Sequence, residues 1–326
     1  MKSKPKVAIY WLGACGGCDE AIVDLNEVVL EVADAVEIVL WPLAMDHKYD
    51  SIRQLPDRSI ALALIHGAVR NSQHEEMAKL LRAKSRVVVA FGACACFGGT
   101  LGLANFCGLD PIIQYVYGDS PTVENPKKKR PSAECQYEGR QLHLPEMFDH
   151  VYALHQIIEV DYYLPGCPPP PDLVSNALFA VLEDKLPPRG TVLAPQKALC
   201  ESCQRNPTKP PRIDITRIRR PHEVEVDSHT CFLVEGVLCM GPATRNGCGE
   251  TCIRCNTPCR GCFGPVEGVD DAGAKFLSAL TSLVKATTDE QVQGIMDGLQ
   301  DPAGYLYRFT QPSSILGRKN KPRETR

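Results

Sequence analysis

KVAIYWLGACGGCDE, residues Lys6–Glu20, decides the fold. Its first part, Lys6–Gly13, is a near-continuous apolar run with β-branched and aromatic members, which reads as a strand buried on both faces. Glycines then interrupt the run. From Asp19 to Ala33 the spacing is helical, with Ile22, Val23, Val29 and Leu30 falling on one side. A strand, a glycine-rich loop and a helix open an α/β unit. Cys15 and Cys18 lie in that loop, just past the C-terminal end of the strand.

The alternation continues. Val36–Trp41, Ile60–His66, Arg86–Phe91 and Val160–Leu164 read as strands, with helices expected over Gln73–Ala83 and Asp172–Leu182. Pro187-Pro188 closes the last of these. A loop-rich insertion occupies about 100–145. The expected fold class is α/β: a flavodoxin-like, doubly wound parallel sheet over 1–190, followed by a small, irregular iron–sulfur-cluster domain over 191–326. In that second part regular periodicity fades and nine cysteines fall between 200 and 262. Such a segment is expected to build little apolar core alone and to be organised by metal. Asp271–Lys285 is expected to be a helix, and the last ten residues a charged tail.

Sixteen cysteines in 326 residues set this chain apart, whereas 44% hydrophobic and 23% charged residues are ordinary for a globular protein. A net charge of −3 leaves no footprint for nucleic acid. The basic run Lys127–Arg130 is short and flanked by prolines, a solvated loop. The first strand begins at once, with no secretory or twin-arginine leader before it, and no apolar run of ~18 residues could span a membrane. The expectation is a cytoplasmic chain without direct membrane insertion. Its thiols would stay reduced, so metal explains the cysteines better than disulfides do.

Cys94 follows the fourth strand and Cys167 the fifth, just as Cys15 and Cys18 follow the first. In a parallel sheet those ends share one edge, where doubly wound folds bind their ligands. Four thiolates there suit an iron–sulfur cluster or zinc. Gly13, Gly16, Gly17, Gly92, Gly98 and Gly99 keep the loops small, so that backbone N–H groups can approach cluster sulfurs. Four prolines fix the backbone after Cys167. FMN, the rival ligand at this edge, would want Ser or Thr and free amides around its phosphate. Alone, Cys15-x-x-Cys18 would fit a redox dithiol at a helix start equally well; Cys94 and Cys167 on the same edge favour metal. Asp19 and Glu20 complement the dipole of the helix they open, and Glu20 is a candidate for proton handling.

These motifs carry a resemblance. LGACGGCDE (Leu12–Glu20), FGACACFGG (Phe91–Gly99) and LPGCPP (Leu164–Pro169) resemble the small-subunit family of NiFe hydrogenases, and are similar to the related 20 kDa cluster-bearing subunit of respiratory complex I. Complex I subunits carry adjacent cysteines where this chain has Cys15-x-x-Cys18, and they lack the second cysteine-rich part. The resemblance extends to Cys231, LCMGP (Leu238–Pro242), NGC (Asn246–Cys248) and PCRGC (Pro258–Cys262). It implies three 4Fe–4S clusters. The proximal one falls to Cys15, Cys18, Cys94 and Cys167. The distal one falls to Cys200, Cys203, Cys231 and Cys239, with Cys200 standing where the family often has histidine. Cys248, Cys259 and Cys262 match medial ligands. Many relatives have proline as the fourth partner there; here Cys252 and Cys255 are both available, and Cys252 is expected.

The resemblance further implies an electron-relay subunit with no catalytic metal of its own. Hydrogen would be split on a NiFe hydrogenase large subunit, and electrons would leave to an iron–sulfur or flavin acceptor subunit. By texture the nearest subgroup is the cytoplasmic methyl-viologen-reducing hydrogenase that works with heterodisulfide reductase in methanogenesis. Two alternatives stand beside this: a complex I-like subunit of a quinone- or ferredoxin-linked oxidoreductase, and a protein in which Cys200/Cys203 and Cys259/Cys262 form structural zinc sites. Cys96, Cys107, Cys135 and Cys255 are left over and read as small hydrophobes. His222 and His229 have no ligand spacing.

Overall fold

A computed structural model describes residues 4–317. The strands are β1 (Lys6–Trp11), β2 (Glu37–Leu40), β3 (Ile60–His66), β4 (Val69–Asn71), β5 (Ser85–Phe91), β6 (Glu134–Tyr137), β7 (Arg140–His143), β8 (Met147–Tyr152) and β9 (Tyr162–Leu164). Five form one sheet in the order β2-β1-β3-β5-β9, and every pair is parallel. This is the flavodoxin-like order, with the chain crossing to one side of β1 and then the other.

Alternation along the strands builds two cores. Ala8 and Tyr10 of β1, Ala63 and Ile65 of β3, and Val88 and Ala90 of β5 pack on one face with Met77 and Leu81. Val7 and Ile9, Leu62 and Leu64, and Val89 and Phe91 pack on the other with Ile22 and Leu178. A strand with side chains buried on both faces has no polar side, which is why its sequence is apolar throughout.

The expected Asp19–Ala33 helix is two helices, Gly17–Val23 and Val28–Ala35. Asn26 between them has φ +53°, a left-handed conformation that asparagine tolerates and a helix does not. The break turns Val23 and Leu30 outward, and Ala21, Ile22, Leu25 and Val32 take the buried side. The insertion holds the helix Leu109–Gln114 and the exposed β6–β7 hairpin, while β8 pairs antiparallel with β4.

The cysteine-rich part departs from expectation more sharply, because it has an apolar core. Leu199, Ile215, Phe232, Val237, Leu238 and Met240 pack with Phe276, Leu280, Ile295 and Leu306. The last four lie downstream of every cysteine, on the helices Ala272–Leu283, Asp289–Asp297 and Pro302–Leu306. Asp271 caps the first by accepting from Ala274 N at 2.8 Å. Of the expected charged tail, residues 318–326 lie outside the described residues. No single helix among the described residues is long and apolar enough to cross a membrane.

Candidate metal centres

The C-terminal edge of the sheet gathers four cysteines. Cys15 stands exposed in the loop after β1, and Cys18 lies in the first turn of the Gly17–Val23 helix. Cys94 lies on the short helix Gly92–Phe97 that continues from β5, and Cys167 follows β9. Ala93 N donates to Gly166 O at 2.6 Å, tying these last two ends together. Burial, followed by the neighbouring Cys94, Cys167 and Cys15 thiols, pushes the Cys18 thiol far up. Burial and then Cys167 and Cys15 hold Cys94 at about 12. Thiols that resist ionising in one another's company are a donor set that a cationic group would complete.

Glycine is required at two points here. Gly92 has φ +83°, and a Cβ on it would meet Cys18 Sγ inside the 3.0 Å that real Cβ atoms keep. Gly99 has φ +62°, and a Cβ there would meet Cys94 Sγ just as closely. Both glycines free space that the thiols occupy, on a backbone conformation that favours glycine.

The C-terminal segment gathers two further sets. Cys200 has Cys203 and Cys231 for neighbours and is bonded by the Lys209 side chain, which opposes the upward push of burial. Together with Cys239 they line one small cavity with Arg205, Lys209 and Phe232. Cys248 neighbours Cys252 and Cys259, and Cys262 neighbours Cys248 and Cys252. Burial first, then the Cys248, Cys167 and Cys252 thiols, holds Cys262 at about 12. The sets meet in a row, for Cys262 neighbours Cys167 of the first set and Cys239 neighbours Cys259. Among the described residues no three His, Cys, Asp or Glu side chains converge on a point that would hold a single metal ion.

Of the remaining cysteines, Cys96 neighbours Cys18 and Cys94 of the first set. Cys96 is buried with its Sγ donating to Ala90 O at 3.2 Å, and Cys107, Cys135 and Cys255 are exposed. His222 and His229 are exposed. Glu20 is exposed beside the first set, whereas Asp19 is buried and does more than complement a dipole. One of its oxygens accepts from Trp41 Nε1 at 2.8 Å, and the other stands 2.9 Å from His66 Nε2. Residue-by-residue reading missed His66, although it ends an otherwise apolar strand at the ligand-binding edge. It also missed Arg205 and Lys209, which carry no spacing signal.

A doubly wound sheet whose ligand edge carries four thiols, with two more groups of cysteines beyond it, is the architecture of a class of oxidoreductase subunits. The model of the family "NADH ubiquinone oxidoreductase, 20 Kd subunit" matches residues 15–181. The iron-sulfur subunit of the F420-non-reducing hydrogenase of Archaeoglobus profundus is 38% identical over 318 residues, covering 96% of this chain and 98% of that protein. The corresponding chain of the F420-non-reducing hydrogenase of Methanothermobacter thermautotrophicus is 34% identical over 323 residues, 98% of each chain. The solved [NiFeSe] hydrogenase of Desulfovibrio vulgaris Hildenborough shares the fold over 82% of this chain and 96% of its own, with a TM-score of 0.50 at 16% identity. The chain belongs to the 20 Kd oxidoreductase subunit family and, over its full length, to the hydrogenase small subunits within it.

Proposed function

We propose that this chain is the electron-transfer subunit of a cytoplasmic NiFe hydrogenase complex, carrying three 4Fe–4S clusters on its three thiol sets. The observation that carries the reading is the row: Cys15, Cys18, Cys94 and Cys167 at the sheet edge, then Cys248, Cys252, Cys259 and Cys262, then Cys200, Cys203, Cys231 and Cys239, with neighbouring thiols at both junctions. Cys252, not Cys255, stands beside Cys248 and Cys262, which supports it as the fourth medial ligand. When bound, such clusters supply one-electron acceptors whose potentials follow cluster charge, burial and hydrogen bonds to sulfur.

The chain's own residues position and shield. Gly92 and Gly99 clear the space around Cys18 and Cys94. Asp19, held between Trp41 and His66, fixes the start of the helix that carries Cys18. Cys15 and Cys167 are exposed at the sheet edge, with Trp11 38% exposed beside them, a surface the partner large subunit would cover. Hydrogen is split on that partner, and Glu20 lies where a proton could be passed to it. At the far end of the row the acceptor is an iron–sulfur or flavin subunit of heterodisulfide-reductase type. The complex I-like alternative is weaker, since full-length likeness to hydrogenase subunits includes the C-terminal thiol sets.

An anaerobically isolated sample should absorb broadly near about 400 nm, hold about twelve irons, and copurify with a nickel-containing chain. A colourless protein with stoichiometric zinc would overturn the proposal.

A further inference from the structure

The bulkiest fully buried side chain among the described residues is an arginine. Arg205 is 1% exposed and has no carboxylate partner. Its Nη1 donates to Asp227 O at 2.8 Å and Thr230 O at 2.7 Å, and its Nη2 to Asn256 Oδ1 at 2.7 Å. Its guanidinium stacks 4.2 Å from the Phe232 ring centroid, and Nε has no partner at all. These dipoles answer its charge, with the Asp227 carboxylate acting from beyond hydrogen-bond range, and a buried cation so held is stabilised further where a negative charge shares its space. The cavity it lines has Cys200, Cys203, Cys231 and Cys239 among its otherwise apolar walls, with Lys209 as a second cation and no acidic side chain, and a cluster on those cysteines would bring negative charge there.

The other two sets are charged differently. Buried Asp19 adjoins Cys18, and Glu250, 9% exposed, adjoins Cys248 while also accepting from Ser202 Oγ, between Cys200 and Cys203. Of the basic groups near those sets, buried Arg245 donates to Pro195 O at 3.3 Å. Arg260 lies over the Tyr305 ring, 4.6 Å from its centroid, and the Arg70 guanidinium reaches Met147 Sδ at 3.9 Å. Glu201 near the Cys200 set is exposed and spends its carboxylate on Ala198 N at 2.9 Å. Asp227 is exposed and accepts from His229 N and Thr230 N.

We propose that Arg205 and Lys209 make the Cys200 set the electron sink of the row. The inference rests on reading that set as a cluster site. Reduction adds one negative charge, which two cations stabilise at the Cys200 set and a carboxylate opposes at each of the others. One electron passes from the Cys248 set, which is oxidised, to the Cys200 set, which is reduced, and no proton or bond moves. The row is thereby polarised outward, away from the sheet edge.

The test is an anaerobic potentiometric titration of the intact chain followed by electron paramagnetic resonance. The signal lost in Cys200→Ala identifies the set. In the wild type that signal should titrate at the highest potential of the three. Lys209→Gln should lower it, and it alone, by about tenfold in the reduction equilibrium, which is about 59 mV for one electron. Lys209→Arg should restore it. Arg205→Gln should lower it further, but that change also removes three hydrogen bonds, so the lysine pair decides. Equal or lower potential in the wild type, or no shift in Lys209→Gln, overturns the inference. Iron content near twelve with a signal absent only in Cys200→Ala tests the cluster reading separately.

Discussion

Replacing Gly92 by alanine separates the thiol geometry from ordinary backbone strain. At φ +83° a Cβ costs about 1–2 kcal/mol, whatever surrounds it. At this position the new methyl also meets Cys18 Sγ inside 3.0 Å, with Gly166 O at 3.6 Å and Pro169 Cδ at 3.9 Å closing the other sides. Overpacking of this kind adds on the order of 1–3 kcal/mol if the site must hold its shape. Cys18 can escape by turning its sulfur away, and then the set loses a donor. Gly190→Ala is the matched control. It has φ +87° and nothing within 4 Å of the added Cβ, so it carries the backbone term without the clash. Both variants should lose stability in a denaturant titration, Gly92→Ala by the greater amount. Iron assay and absorbance should then divide them, Gly190→Ala keeping its full complement and Gly92→Ala losing about four of about twelve irons. Full iron in Gly92→Ala, or equal loss in both, would refute the assignment of Cys18 to a ligand set that depends on this glycine.

Cys94→Ala should lose about four irons and Cys96→Ala none, because Cys96 is buried with its Sγ donating to Ala90 O. By the same assay Cys252→Ala should lose iron while Cys255→Ala, at an exposed position outside the sets, should not. Burial, and then the Arg70 charge, holds the His74 imidazole down at about 4 from an ordinary 6.5. The unfolded chain therefore takes up a proton below pH 6.5 that the folded chain refuses, so stability present above that pH is lost as pH falls towards about 4, and His74→Gln should flatten this slope in denaturant midpoints. Asp161 is fully buried with Arg82 Nη1 at 2.6 Å, Arg189 Nη1 at 2.8 Å and Val88 N at 2.7 Å, so Asp161→Ala should cost about 3–5 kcal/mol by denaturant titration.

Much of the α/β unit was legible because its signals are local. Ile60–His66 was read to the residue, since a strand buried on both faces announces itself as an unbroken apolar run. The edge that collects Cys15, Cys18, Cys94 and Cys167 followed from counting strand ends. Other features were hidden because their cause lies elsewhere in the chain. Nothing near Asn26 marks a break until its left-handed φ is known. The core of the cysteine-rich part, a second body of apolar packing beside the two faces of the sheet, was invisible because Phe232 and Val237 find their partners at Phe276, Leu280 and Ile295, beyond the last cysteine. Arg205 sits in a polar stretch with no spacing to mark it, and only the fold encloses it.

That second core changes what the cysteine-rich part can do. Thiol sets organised by metal alone would stand wherever a flexible connection left them. Here the return of the chain fixes them to the sheet. Gly99 N donates to Phe309 O at 3.1 Å, Asn105 Nδ2 to Gln311 Oε1 at 2.8 Å, Gln156 Nε2 to Pro312 O at 2.9 Å and Ser313 Oγ to Phe97 O at 3.0 Å. Phe97 also fills the space beside Gly264, two residues past Cys262, and belongs to the helix that carries Cys94. One side chain thus braces the residues next to a thiol of the first set against those next to a thiol of the second. Cys167 and Cys262 are neighbours because two packed cores hold them so, and their separation does not depend on the length or stiffness of the segment between 182 and 199. A row with fixed spacing between sites is the property that electron transfer needs from a protein, and in this chain ordinary apolar packing supplies it.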